Sequence, residues 1–429
     1  MLKTLRAAAW IAAGTWIGLV IARGRFWDAS ADGLRPGGGA LARGAPGAAP
    51  GGEVGPAPDS VAQAARGDEA GPAPFVHVVV PARNEADVIA QTLGSLLAQN
   101  YPGPFAITLI DDGSEDCTGD TARATIAAHG AEPRARVLAG QPRPAGWTGK
   151  VWALAEGVAA ARASGAQPAY WWFTDADVEH DPGTLARLVA TAVRDDRALV
   201  SQMVALHCSS SSERLLIPAF VFFFRTLYPF AWVNDDRRST AAAAGGCVLL
   251  SDDALRRIGG IERIKGELID DCALAAAVKR DGGGLWLGLA TRSRSVRPYR
   301  SFETIWSMVA RTAFTQLCYS PMLLAGTVAG MLLLYYVPVA ATVAGVRRRR
   351  FDIALPGALA WTVMALAYAP TLRLYGVPRR NAVMLPFAAL LYTGMTVDSA
   401  RRHLRGAGGA WKGRTFVPGR DAAPDSNLE

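Results

Sequence analysis

The sequence predicts an α/β domain with a doubly wound parallel sheet, held between apolar helices of membrane length. Three observations predict it. From residue 75 to 174, short β-branched or aromatic runs alternate with segments of helical period, the pattern of right-handed βαβ units. Two of those runs end in closely spaced carboxylates, Asp111-Asp112 and Asp175-Ala-Asp177. Parallel sheets bind ligands at such strand ends. Apolar stretches long enough to cross a bilayer lie on both sides of this region.

Composition bounds the rest. The chain has 429 residues, half of them hydrophobic, and a formal net charge of +8. That leaves room for one large soluble domain plus membrane segments. The basic excess sits beside apolar runs, as in Arg347–Arg350 and Arg401-Arg402. It suits an anionic membrane surface and argues against nucleic acid. The five cysteines are scattered without a CxxC pair, so neither a zinc site nor a disulfide framework is expected.

The elements follow in order. Leu5 to Ala22 is apolar and flanked by Lys3, Arg6, Arg23 and Arg25. It is long for a signal peptide and is expected to be an uncleaved anchor within residues 1–27. Residues 28–74 are rich in Gly, Ala and Pro and read as a flexible linker. The transfer of chemistry is expected in residues 75–314. Strands are expected at Phe75–Val80, Phe105–Ile110, Ala135–Leu138 and Ala169–Thr174. Helices are expected at Glu85–Asn100, Gly119–Gly130 and Val151–Ser164. Leu215 to Val233 is apolar but holds Pro218, Arg225 and Pro229, so it reads as an interfacial helix or a buried core helix. Three membrane candidates, Pro321–Val346, Ile353–Tyr375 and Asn381–Val397, fill residues 315–400, before a basic tail at 401–429. The positive-inside rule places both Arg347–Arg350 and Arg401–Arg405 on the cytoplasmic side. One span before the domain and three after it would separate domain and tail, and a re-entrant break near Pro338 would reconcile them.

The chemistry concentrates in five short motifs. Pro81-Ala-Arg-Asn84-Glu85 follows the first strand, where the chain turns toward a helix with unpaired N-terminal amides that could hold a nucleotide. Asp111 and Asp112 end the second strand, placed to accept from a base N–H or ribose hydroxyls. Gly113 permits the tight turn that follows. Gly146-Trp-Thr-Gly-Lys150 opens a helix, and Lys150 offers a point charge to a phosphate. Asp175 and Asp177 supply two hard oxygen ligands suited to Mg²⁺ or Mn²⁺ on a diphosphate. Asp270-Asp271 opens a later helix, where one carboxylate can serve as general base. Arg297, Arg300 and Arg311 precede the membrane region and could neutralise a departing diphosphate or anchor headgroups.

Taken in this order, the motifs resemble the family 2 inverting glycosyltransferases of the GT-A fold, over roughly Phe75 to Arg311. The resemblance implies that Asp111 and Asp112 bind the nucleotide, that Asp175 and Asp177 hold the sugar nucleotide and the metal, with Asp177 the closer ligand, and that Asp271 is the base. Asp270 stands where a Glu is often found. Met308-Val-Ala-Arg311-Thr312 keeps only the arginine of the Gln-x-x-Arg-Trp pattern of polymer-forming members. The layout, with Phe220–Phe224 and the closing Gly409–Arg414, resembles the hopanoid-associated membrane glycosyltransferases and, more distantly, the ceramide glucosyltransferases. It implies an inner-membrane enzyme with a cytoplasmic catalytic domain, a nucleotide-diphospho-sugar donor and a lipid acceptor. A processive polysaccharide synthase and a silent scaffold of the same fold are the rival readings.

Overall fold

In the computed structural model, which describes residues 2–29, 72–406 and 408, a single eight-stranded sheet organises the domain. Its order is β3-β2-β1-β4-β7-β6-β8-β5. The first four strands are those expected: Val76–Ala82 (β1), Phe105–Asp111 (β2), Ala135–Ala139 (β3) and Tyr170–Phe173 (β4). β1 pairs in parallel with both β2 and β4, and β2 with β3. β1 is buried along its whole length, as a strand covered on both faces must be. Val76, Val78 and Val80 pack on one side of it and Val79 on the other, because successive side chains alternate faces.

The other half of the sheet departs from the expected parallel pattern. Val178–Glu179 (β5), Leu199–Ala205 (β6), Val248–Ser251 (β7) and Leu285–Ser295 (β8) complete it. β7 runs antiparallel between β4 and β6, β5 runs antiparallel to β8, and β6 pairs in parallel with β8. The sheet is therefore mixed. Helices still separate these strands in the chain, so the alternation gave no sign that β5 and β7 run antiparallel.

Helices Ile89–Leu97 (α2), Thr118–Ala128 (α3), Gly149–Ala163 (α4) and Thr184–Arg194 (α5) cover the sheet; the membrane-length helix Leu2–Ala22 (α1) precedes them. α4 approaches β1 closely at Gly157, where a Cβ would lie 2.3 Å from Val79 Cγ1. Only glycine allows that contact.

Among the described residues, five helices are long and apolar enough to cross a membrane: Leu2–Ala22, Ser211–Val233, Pro321–Arg347, Phe351–Leu374 and Arg379–Leu404. Residues 30–71 of the expected linker and 409–429 of the expected tail lie outside the described residues. Pro321–Arg347 does not break near Pro338. It runs on through a π-turn at Leu332–Tyr336. Pro338 has no N–H for the carbonyl four residues back, Leu334 O. The Trp16 indole of α1 donates to that carbonyl at 2.9 Å instead. The orphan acceptor is satisfied, so the helix needs no re-entrant gap.

Of the two readings of Ser211–Leu227 (α6), the burial of Leu216, Ile217, Val221 and Phe222 favours the core helix over the interfacial one. Phe222 is fully buried, with ring centroids 5.2 Å from Tyr368, 5.5 Å from Phe26 and 6.4 Å from Trp16. Phe223 meets Tyr392 at 5.0 Å and Tyr335 at 5.7 Å. These rings face other helices rather than acyl chains. α6 is a strut between the sheet domain and the apolar helices.

Candidate active site

The site forms where the parallel strands end. Lys150, in the first turn of α4, donates to Asp175 Oδ1 at 2.8 Å and lies 3.3 Å from Asp270 Oδ2. Burial disfavours its charge, yet Asp175, Asp270 and Asp271 together hold its pKa above the usual lysine value. Asp270 and Asp271 open the helix Asp270–Arg280 (α7). Asp271 accepts from the Gly245 amide at 2.7 Å and from the Cys272 amide at 2.8 Å. Burial and the neighbouring Asp270 raise its pKa to about 6, against the opposing pull of Lys150 and the two amides. A small cleft opens over these groups, with Pro81, Lys150, Asp175, Gly245, Asp270 and Asp271 in its walls.

Asp177 lies one residue beyond Ala176, at the entry to β5, and accepts from the Ser295 hydroxyl at 2.9 Å. Among the described residues, no three His, Cys, Asp or Glu side chains gather into a metal cage. Two carboxylates suit Mg²⁺ or Mn²⁺, which bind through one or two protein acids and complete their shell with phosphate oxygens and water. The donor set therefore fits a cation that arrives with a diphosphate. Lys150 must share Asp175 with it.

The first two motifs are knitted to each other. Asn84 has φ 51°, a left-handed conformation that Asn tolerates better than most residues. Its amide donates to Ser114 Oγ at 3.0 Å, and its side-chain oxygen accepts from the Glu115 amide at 2.8 Å. The amides of Glu85 and Ala86 donate to Thr118 Oγ1 and Asp116 Oδ2, at 2.8 and 3.1 Å. These amides, expected to be unpaired, are occupied, and α2 starts only at Ile89. Glu85 forms an ion pair with Arg297, which also lies 3.3 Å from Asp87. Asp111 Oδ1 accepts from the Ser114 amide at 3.0 Å, and a Cβ at Gly119 would come within 2.6 Å of its other oxygen. Asp112 is buried. Arg311 is half-buried in the last turn of the helix Phe302–Thr312 (α8). Its charge acts on Tyr299, whose ring also feels Asp177 and Asp175.

One group was missed in the sequence. His180 is buried. Its Nε2 lies 2.7 Å from Thr174 Oγ1 and its Nδ1 3.1 Å from Ser293 Oγ. Thr174 spends its proton on Gly246 O at 2.9 Å. The imidazole must then donate from Nε2 and accept at Nδ1, and burial lowers its pKa to about 3. It stays neutral. Thr174 precedes Asp175, Gly246 follows the Gly245 that holds Asp271, and Ser293 lies two residues before the Ser295 that holds Asp177. One imidazole thus ties together the backbone around three acids. Its place three residues beyond Asp177 was visible, but its partners come from distant strands.

Comparison with known proteins agrees with this architecture. The model of glycosyl transferase family 2 matches residues 77–259. No curated protein sequence matches the chain. A mannosyltransferase from Pyrobaculum calidifontis, solved with GDP-mannose and Mn²⁺, is 19% identical and superposes with a TM-score of 0.50, covering 93% of this chain and 99% of its own. Glucosyl-3-phosphoglycerate synthase from M. tuberculosis, also 19% identical, covers 57% of this chain and 80% of its own with a TM-score of 0.37. The matched residues carry most of the mixed sheet and the acids Asp111, Asp112, Asp175 and Asp177, so the chain holds a domain similar to glycosyl transferase family 2, with a fold like that of the GT-A mannosyltransferase, joined to several long apolar helices.

Proposed function

We propose that the protein is a membrane-bound inverting glycosyltransferase that moves a sugar from a nucleotide-diphospho-sugar to a lipid hydroxyl. The observation that carries this reading is the cleft in which Lys150 bridges Asp175 and Asp270 while Asp271 stands beside them with a raised pKa. A base of pKa about 6 is ionised at neutral pH yet basic enough to take a hydroxyl proton as attack proceeds. Asp271 receives that proton. The acceptor oxygen bonds to the anomeric carbon as the bond to the diphosphate oxygen breaks, in one displacement that inverts the centre. Asp111 and Asp112 bind the nucleotide. Lys150 and Arg311 face the negative charge that develops on the leaving group. Asp177 and Asp175 would hold a Mg²⁺ or Mn²⁺ ion, which would supply Lewis-acid neutralisation of the same charge. Asn84 and Glu85 shape the loop under the nucleotide, and Pro81 forms part of the cleft wall.

The long apolar helices support a lipid acceptor, since they pack directly against the domain through α6 and α8. The motifs and the layout of apolar helices support a reaction at the inner membrane, with the catalytic domain cytoplasmic, in hopanoid or related lipid metabolism. The test uses the full-length protein in liposomes of the source organism's lipids, with Mn²⁺ and radiolabelled GDP-mannose or UDP-glucose. Label in the organic phase for the native protein, lost in Asp271→Asn, is expected. Label only in water-soluble polymer would instead identify a polysaccharide synthase.

A further inference from the structure

The acceptor side of the site can be read from a contact that the catalytic motifs do not include. Tyr228 caps the C-terminal end of α6, and its phenol accepts from the Gln316 carboxamide at 2.6 Å. Gln316 lies in the single 3₁₀ turn Thr315–Leu317. That turn is reversed by Cys318 and Tyr319, at φ 50° and 55°, immediately before the membrane-length helix that starts at Pro321. It is braced from outside by His403, whose ring stacks on Tyr319 at 4.4 Å. On the inner side, the Tyr228 phenol hydrogen-bonds the Cys272 thiol and lies within electrostatic reach of Asp271. Tyr228 and Gln316 are both half-buried.

We propose that Tyr228 and Gln316 form the acceptor subsite, and that the acceptor they receive is an uncharged lipid alcohol. This rests on the glycosyl-transfer reading above. The pair stands between the start of a membrane helix and the base, so a hydroxyl rising from the bilayer meets it on the way to Asp271. A phenol and a carboxamide each donate and accept hydrogen bonds, which matches a hydroxyl that does both. Both are neutral. The charge of Asp271 reaches Tyr228, and Lys150 is already engaged by Asp175 and Asp270. An anionic phosphate acceptor would meet like charge at this place, whereas an alcohol would not.

The experiment sets the neutral-lipid fraction of the source organism's membranes against undecaprenyl phosphate. Each is presented in liposomes to the full-length protein with Mn²⁺ and radiolabelled GDP-mannose or UDP-glucose. Label is expected in the neutral lipids. Tyr228→Phe and Gln316→Ala should each raise the KM for those lipids by roughly three- to tenfold, the worth of one hydrogen bond. Calorimetric binding of GDP or UDP with Mn²⁺ should be unchanged in both variants. Transfer to undecaprenyl phosphate instead, or an unchanged lipid KM in both variants, overturns the subsite and leaves the transferase reading standing. Loss of nucleotide binding in both variants also overturns it, in favour of a purely structural pair. No transfer to either lipid by the native protein overturns the lipid-acceptor reading and the subsite with it.

Discussion

In the proposed reaction Asp271 takes the acceptor proton, so its titration should set the pH behaviour. Its pKa is raised to about 6 by burial and by Asp270, and only the ionised form can take the acceptor proton. The rate of transfer should therefore be flat above that value and fall about tenfold per pH unit below it. A pH–rate profile with no acid limb would remove Asp271 from the role. Asp271→Asn keeps the shape of the side chain but not its basicity, so donor binding should persist while transfer drops by about 10²–10⁴. His180 makes a separate prediction. Its imidazole bonds Thr174 and Ser293, and through Thr174 meets Gly246, which holds together the backbone beside Asp175, beside the Gly245 that binds Asp271, and near the Ser295 that binds Asp177. His180→Phe should weaken Mn²⁺-dependent nucleotide binding by about 10–100-fold, the usual cost of losing a group that orients metal ligands. His180→Gln should restore part of it. Equal melting temperatures with equal Mn²⁺ dependence in all three proteins would show that His180 positions nothing.

At the scale of elements, two close approaches decide function and assembly. Gly245 lies beside the cleft, where a Cβ would sit 2.8 Å from Lys150 Nζ and 3.3 Å from Asp271 Oδ2. The backbone there is not left-handed, so Gly245→Ala should fold. It should still displace Lys150 and cut transfer well beyond any loss in melting temperature, which steady-state kinetics beside a thermal melt would reveal. The second approach joins α1 to the helix at Pro338. Trp16→Phe would leave Leu334 O without its donor in an apolar setting, at a cost of about 1–3 kcal/mol. A thermal melt in detergent would read it, and an unchanged melting temperature would mean that the π-turn satisfies the carbonyl unaided. The element boundaries in the first half of the domain were legible within a few residues, because alternation of period is a local signal. β7 was not, since its direction depends on pairing with β4 and β6 rather than on its own residues.

For the whole molecule, the arrangement of charge at the two ends of the apolar helices bears on the conflict between the basic clusters. Pro321–Arg347 has 27 residues and so spans roughly 40 Å. His403 stacks on Tyr319 just before its start, while Arg347–Arg350 follow its end, where Asp352 meets Arg6 of α1 at 3.4 Å. The two basic clusters thus lie at opposite ends of one continuous helix, and a single cytoplasmic face cannot hold both if that helix crosses the bilayer. Cysteine substitutions at Arg349 and at Arg405 should then label from opposite sides of sealed vesicles; labelling from the same side would show that the helix does not cross. Packing at the centre changes what Phe222 can report. With its ring enclosed by Trp16, Phe26 and Tyr368, Phe222→Ala should destabilise the protein by about 3–5 kcal/mol. Donor binding and transfer should be lost together on warming, rather than transfer to lipid alone.

The sequence by itself determined the βαβ beginning of the domain, the strand-end acids Asp111, Asp112, Asp175 and Asp177, the acids that open α7, and most of the apolar helices. Each is written in contiguous residues, as a change of period, a carboxylate after an apolar run, or a stretch of membrane length. Tertiary structure decided what depends on residues far apart in the chain. It turned β7 against its neighbours, enclosed Phe222, let Trp16 replace the hydrogen bond that Pro338 lacks, and brought Thr174, His180, Gly246 and Ser293 into one network. It also set Lys150 between Asp175 and Asp270, and raised the pKa of Asp271 by burying it beside another acid. Hydrogen bonds, burial and the interaction of charges act through space, so no spacing within a motif could have specified them.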